Sequence, residues 1–162
     1  MIRKVTIHDA KAITDIYNYY VKTSVATFEE TPVEVIYFQN KIKEVIKRLP
    51  WFVFEENGEV QGYAYATQWK PRSGYVNSVE VSVYLKNDIT LKGIGTVLYE
   101  TLLNTLKNIN IHLAIGGVCI PNDPCISLHK KFGFEKVAHF KEIGFKFNKW
   151  VDVQYWQLTL NK

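Results

Sequence analysis

Gly93 and Gly95 stand where a strand ending near Leu85 runs through a short polar link into a helix. In that setting unpaired backbone N–H groups can face an anion. Glycine lets a diphosphate approach the main chain, and the helix N-terminus adds positive potential. Lys92 brings a further charge to the same place. The pattern serves equally as tight-turn chemistry, so its neighbours must decide its use. Two nucleotide motifs are excluded. Leu98 occupies the third glycine position of a dinucleotide fingerprint begun at Gly93, and no G-x-x-x-x-G-K-[ST] run is present.

Three other side chains have types suited to chemistry. Glu80 alternates with Val79 and Val81, so it points away from the valine face, as a general base or as an ordinary exposed glutamate. His129 has the intrinsic pKa of a general acid or base near neutrality, and a lone helix histidine also serves as a packing residue. Arg72 carries the planar guanidinium that pairs with a carboxylate through two parallel bonds, or lies free on the surface. Trp69, Phe28 and Tyr17 fit the wall of a small acceptor site or the core. His8, His112, His129, His139 and the cysteines Cys119 and Cys125 show no metal-ligand spacing, so no metal is expected. Cys125 beside Pro124 has no nucleophilic dyad, which argues against a covalent enzyme intermediate.

The elements that must position these residues follow from periodicity. A short first strand precedes a helix within Val5 to Val21, where Thr6 and Asp9 form a capping-box variant and Ile13, Ile16, Tyr17, Tyr20 and Val21 share a face. Thr31-Pro32-Val33-Glu34 predicts the start of a second helix running to about Arg48. Trp51 to Phe54 and Val60 to Thr67 flank Asn57-Gly58, a hairpin turn. After the loop Trp69 to Gly74, the alternation of Val79, Val81, Val83 and Leu85 predicts a strand. Gly93 to Asn108 predicts a helix and Ile111 to Ile120 a buried strand. A helix capped at Asn122-Asp123-Pro124 ends near Gly133, and Phe134 to Phe147 with Trp150 to Leu160 form two antiparallel strands. That order predicts a mixed α/β arrangement, one central sheet flanked by helices, with residues 1–162 as a single domain.

Composition narrows the partners. At 162 residues, 47% hydrophobic and 14% aromatic, the chain can bury a substantial core. A net charge of +4 with dispersed lysines gives no nucleic-acid footprint and suits a small polyanion. No apolar run approaches the roughly 20 residues that cross a bilayer, so no membrane partner is expected. The two cysteines and the absence of a secretory hydrophobic region at Met1-Ile2-Arg3-Lys4 predict a cytoplasmic protein.

Thr90-Leu91-Lys92-Gly93-Ile94-Gly95 resembles [Arg/Gln]-x-x-Gly-x-[Gly/Ala], the coenzyme motif of the GNAT superfamily of acetyltransferases, with Thr90 in the first place. Asn122-Asp123-Pro124-Cys125-Ile126-Ser127-Leu128-His129, followed by Gly133-Phe134, is similar to a second element of that superfamily, with His129 at its usual tyrosine. Within it, Ala26-Thr27-Phe28-Glu29, Trp69-Lys70-Pro71-Arg72, Val79 to Tyr84 and Trp150 to Val153 resemble the phosphinothricin/methionine sulfoximine acetyltransferase group. The resemblance implies a GNAT fold with a mostly antiparallel sheet, and transfer of acetyl from acetyl-CoA to the amine of a small amino-acid-like molecule. It implies that Val83, Tyr84 and Leu85 hold the pantetheine arm, that Leu91, Lys92, Gly93, Ile94, Gly95 and Thr96 hold the diphosphate, and that Asn122 flanks the coenzyme. Lys70, Pro71, Arg72, Glu80, Val81 and Ser82 would line the acceptor pocket, with Glu80 and His129 catalytic. A homodimer follows by the same analogy. A peptide or polyamine acceptor, or a noncatalytic acyl-CoA-binding module, are the alternatives.

Overall fold

The computed structural model describes residues 1–89 and 92–162. Its elements follow in the order β1 (Ile2–Lys4), α1 (Ala10–Thr23), α2 (Val35–Val45), β2 (Trp51–Glu56), β3 (Glu59–Gln68), β4 (Ser78–Leu85), α3 (Ile94–Asn108), β5 (Leu113–Ile120), α4 (Asp123–Lys131), β6 (Glu135–Lys146) and β7 (Lys149–Thr159). One seven-stranded sheet runs β1-β2-β3-β4-β5-β7-β6. Every pairing is antiparallel except β4 with β5. The mixed, mostly antiparallel sheet with flanking helices is the expected architecture.

Strand alternation divides the core into two layers. Trp51, Val53, Tyr63 and Tyr65 point to one face, under Ile13, Tyr17 and Val21 of α1 and Phe38 and Ile42 of α2. Phe52, Ala64, Ala66, Val79 and Val81 point to the other, under Leu98, Leu102 and Leu106 of α3. These apolar faces, period two on strands and 3.6 on helices, account for where each helix packs. At the β2–β3 hairpin Asn57 and Gly58 take φ of 53° and 80°, the left-handed pair that a two-residue turn requires.

One boundary moved. The Thr31-Pro32 signal predicts a helix start there, yet α2 begins at Val35, with Glu34 still extended at ψ 159°. The Asn18 side chain explains the delay, because its amide donates to the Val33 carbonyl and accepts from the Val33 N–H, both at 2.9 Å. A side chain of α1 thus holds the preceding segment extended and overrides the local cap. Residues 24–34 form a strap between α1 and α2 in consequence.

Candidate active site

The parallel pairing of β4 with β5 lasts only from Ser78 to Glu80 against Leu113 to Ile115. Beyond it β4 continues to Leu85 along β3, while β5 continues to Ile120 along β7. The strands part, and the edge of β4 from Val81 to Leu85 that faces β5 has no strand partner among the described residues. A cavity of about 460 Å³ occupies the gap. β4 lines one side, Gly117, Val118 and Cys119 of β5 another, and Gly93, Gly95, Thr96 and Tyr99 of α3 its end.

Glu80 sits where the strands separate. A side-chain carbon on Gly117 would crowd the Tyr155 ring at 3.3 Å and stand at ordinary contact distance, 3.9 Å, from Glu80 Oε1, so the carboxylate lies against β5 at this glycine. Burial pushes the Glu80 carboxyl above its ordinary value, against the opposing pull of Lys70 and Lys41. Lys41, which sequence reasoning passed over, reaches from α2 to donate to the Tyr65 hydroxyl at 3.1 Å. Burial in turn pushes the Tyr65 phenol up to about 12.

Gly93 caps α3 with φ of 88°, a left-handed conformation in which glycine avoids the strain of a side chain. Nothing lies within 4 Å of where its side chain would be, and the space opens on the cavity. Gly95 and Thr96 follow in the first turn, where backbone N–H groups have no helical acceptor. Free amides, a helix N-terminus and an unpaired strand edge fit a ligand with a diphosphate and an extended amide-bearing arm.

His129 is 3% exposed and lines the same cavity. Its Nδ1 bonds the Cys125 carbonyl at 2.7 Å, and its Nε2 meets the Tyr99 hydroxyl at 2.9 Å. A carbonyl only accepts, so the neutral ring carries its proton on Nδ1 and Nε2 accepts from Tyr99. Burial lowers the His129 pKa and keeps the ring in that neutral form. A side-chain carbon on Gly116 would collide with the imidazole, so the glycine on β5 is what lets the ring sit there. Tyr99 had escaped notice because it lies on the apolar face of α3 beside Leu98 and Leu102, where pattern alone marks it as core.

The other predicted residues separate into two groups. Val81, Ser82, Val83, Tyr84, Leu85 and Asn122 line the cavity with Glu80. Val81 does so through its backbone, since its side chain packs into the core, and Asn122 Oδ1 caps α4 by accepting from the Cys125 N–H at 3.2 Å. Lys70, Pro71 and Arg72 lie outside that lining, exposed on the loop before β4. The Gln68 amide holds this loop by donating to the Lys70 and Arg72 carbonyls at 2.7 and 3.2 Å. Lys92 is exposed and Ile94 turns into the core at 3% exposure. Leu91, expected at the diphosphate, lies outside the described residues together with Thr90. No group of three or more potential metal ligands occurs among the described residues.

Comparison with known proteins points the same way. The family described as an acetyltransferase (GNAT) domain matches residues 2–155. A phosphinothricin N-acetyltransferase of Streptomyces viridochromogenes is 33% identical over 156 residues, 96% of this chain and 85% of that one. An L-methionine sulfoximine/L-methionine sulfone acetyltransferase of Pseudomonas aeruginosa is 31% identical over 164 residues, 99% of this chain and 94% of the relative. The crystal structure of a GNAT superfamily phosphinothricin acetyltransferase from Sinorhizobium meliloti in complex with acetyl-CoA superposes with a TM-score of 0.95. It is 32% identical and the match covers 99% of this chain and 88% of that one.

Proposed function

This chain belongs to the GNAT acetyltransferase family and is an acetyl-CoA-dependent N-acetyltransferase; we propose that its acceptor is the α-amine of a small amino-acid-like molecule of the phosphinothricin or methionine sulfoximine type. The observation that carries this reading is the parting of β4 from β5 at Glu80. It gives one cleft with a carboxylate where the strands separate, unpaired backbone along one wall, and a glycine-capped helix at the end.

Acetyl-CoA, when bound, supplies a thioester carbonyl open to a neutral amine. Glu80 takes the amine proton, directly or through one water, and its raised pKa makes it a stronger proton acceptor than an exposed carboxylate. A backbone N–H near Val83, on the unpaired edge of β4, donates to the charge that develops on the carbonyl oxygen. The Tyr99 hydroxyl is the candidate acid: its one proton, donated at rest to the neutral His129 Nε2, turns to the departing thiolate, and the phenolate left behind takes a proton back from solvent, a return favoured by the burial that raises its pKa. Gly93, Gly95, Thr96 and the exposed Lys92 serve the diphosphate, with Asn122 on the other side of the cavity.

Ser82 and the Val81 backbone would contact the acceptor beside Glu80. Lys70 and Arg72 would reach its carboxylate from their loop, with Pro71 lining the approach; for Lys70 the role is supported by the pull it exerts on Glu80. The free cysteines suit the reducing cytoplasm. No helix among the described residues is long and apolar enough to cross a membrane. A second copy of the chain would cover β6, an edge strand with Val137, Phe140, Ile143 and Phe145 exposed.

Thiol release from acetyl-CoA, measured against amino acids, their sulfoximines, polyamines and peptides, tests the reading. Fastest release with methionine sulfoximine or phosphinothricin is expected. A preference for polyamines or peptides would transfer the reading to those acceptors, and tight coenzyme binding without turnover on any of them would defeat it.

A further inference from the structure

Lys146 is 1% exposed at the end of β6, far in sequence from the residues that line the cavity. Its ammonium donates to the Ser24 carbonyl at 2.6 Å, the Thr27 carbonyl at 2.8 Å and the Tyr20 carbonyl at 3.5 Å. Burying an ammonium is costly unless its donors are satisfied, and here all three acceptors are backbone oxygens. Desolvation lowers its pKa, with Glu30, Cys119 and Glu29 acting the other way. An apolar side chain of similar length would fill the space without that cost. What the ammonium adds is the fixed position of three carbonyls.

Those carbonyls belong to the end of α1 and to the strap of residues 24–34, which has no regular secondary structure of its own apart from bends. Between the two bonded strap residues lies Ala26, which lines the cavity and whose carbonyl faces the Tyr84 hydroxyl at 3.5 Å. Tyr84 shares its sheet face with Ser82 and Glu80, two and four residues back along β4. The strap meets β6 at a second point: a side-chain carbon on Gly144 would collide with the ring of Phe28. Tyr17 adds a third tie through its hydroxyl to Thr27 Oγ1, at 2.8 Å.

Resting on the acetyltransferase reading, we propose that Lys146 is a positioning residue for acceptor selection: it pins the strap so that Ala26 closes the cavity beside Tyr84 at a set width. The size of the acceptor side chain is then read against a wall held from β6, a strand that does not itself line the cavity.

Lys146→Met keeps length and removes the charge, whereas Gly144→Ala keeps the ammonium and displaces Phe28. Both are expected to change the ratio of kcat/KM for methionine sulfoximine to that for a short-chain amino acid by roughly tenfold, the size of effect that one methylene makes in a pocket. Acetyl-CoA affinity should stay within about twofold, since neither Lys146 nor Gly144 lines the cavity and the diphosphate contacts belong to the start of α3. A ratio is insensitive to the fraction of folded enzyme, so poor folding of Lys146→Met would not imitate the effect, and Gly144→Ala decides alone if that variant fails to fold. Backbone amide exchange across residues 24–30, expected to speed up in whichever variant folds, reads the strap without any turnover. Unchanged selectivity or unchanged exchange in the folded variants overturns the proposal. Absence of turnover in the unaltered enzyme would instead defeat the function reading, leaving the exchange result to decide the role of Lys146.

Discussion

Burial acts on the carboxylate and the imidazole of the cavity in opposite directions: it pushes Glu80 up, toward holding a proton more tightly, and His129 down, toward staying neutral. A neutral His129 bonded to Cys125 and Tyr99 has neither ring nitrogen free. Tyr99→Phe would leave Nε2 buried and unpaired, at a cost of about 1–3 kcal/mol. His129→Phe would do the same to the Tyr99 hydroxyl. Urea denaturation should show both losses. If the two act as one unit, the double variant loses no more kcat than the worse single one; multiplied losses would separate their roles. The sign of the pH effect follows from the same burial. Because the folded pKa of His129 lies below the unfolded value, the unfolded chain binds a proton first, and stability contributed by the neutral ring declines as pH falls below about 6.5. Urea midpoints between pH 7 and 5 measure that decline, which should shrink in His129→Phe.

Glu80, Gly93, Asn122 and His129 were legible in the sequence because strand parity or helix caps give their positions locally. Tyr99, which lines the cavity, and Lys41 and Lys146, which do not, were not legible, since each meets its partners only through tertiary packing and its neighbours in sequence look like core or surface. Arg72 was legible by its type alone, since no pattern in the sequence gives the position of its loop, which the Gln68 amide holds at the surface before β4.

Among the elements, α3 and the strap respond most directly to single changes. Gly93→Ala meets no atom, so its cost is backbone strain at a φ of 88°, about 1–2 kcal/mol. Strain is relieved by shifting the first turn, which would turn its free amides away from the cavity. We expect the affinity for acetyl-CoA to fall by about tenfold or more, measured by calorimetric titration, with the acceptor preference retained. Wild-type affinity in this variant would remove α3 from the diphosphate site. The boundary of α2 carries a related lesson. Thr31-Pro32 is a sound local start signal, but the paired bonds of Asn18 to Val33 hold the chain extended until Val35. Sequence periodicity located α1 to α4 and the strands of the sheet among the described residues to within a few residues, and it failed where a side chain from another element bonds the backbone.

For the molecule as a whole, the formal charge of +4 and a polyanionic coenzyme predict that salt weakens coenzyme binding. Saturation should also protect the fold, by about 2.7 kcal/mol at a ligand concentration 100 times Kd; a melting temperature indifferent to acetyl-CoA would contradict the cleft as its site. The exposed apolar residues of β6 make a separate prediction. Light scattering after gel filtration should find a dimer, and replacing Ile143 or Phe145, exposed at 54% and 47%, with glutamate should shift it toward monomer. A monomer at all concentrations would leave that edge without the proposed partner.

The most direct test of the account compares wild type with Glu80→Gln, following thiol release from saturating acetyl-CoA with methionine sulfoximine across pH. Wild type should show acceptor-dependent release whose acidic limb lies above the ordinary glutamate pKa, since Glu80 is raised and must be ionised to take the amine proton. Glu80→Gln should lose roughly 10²–10⁴ in kcat together with that limb, at unchanged coenzyme affinity. Equal rates and the same pH profile in both proteins would contradict the assignment of the carboxylate, where β4 and β5 part, as the base that drives transfer.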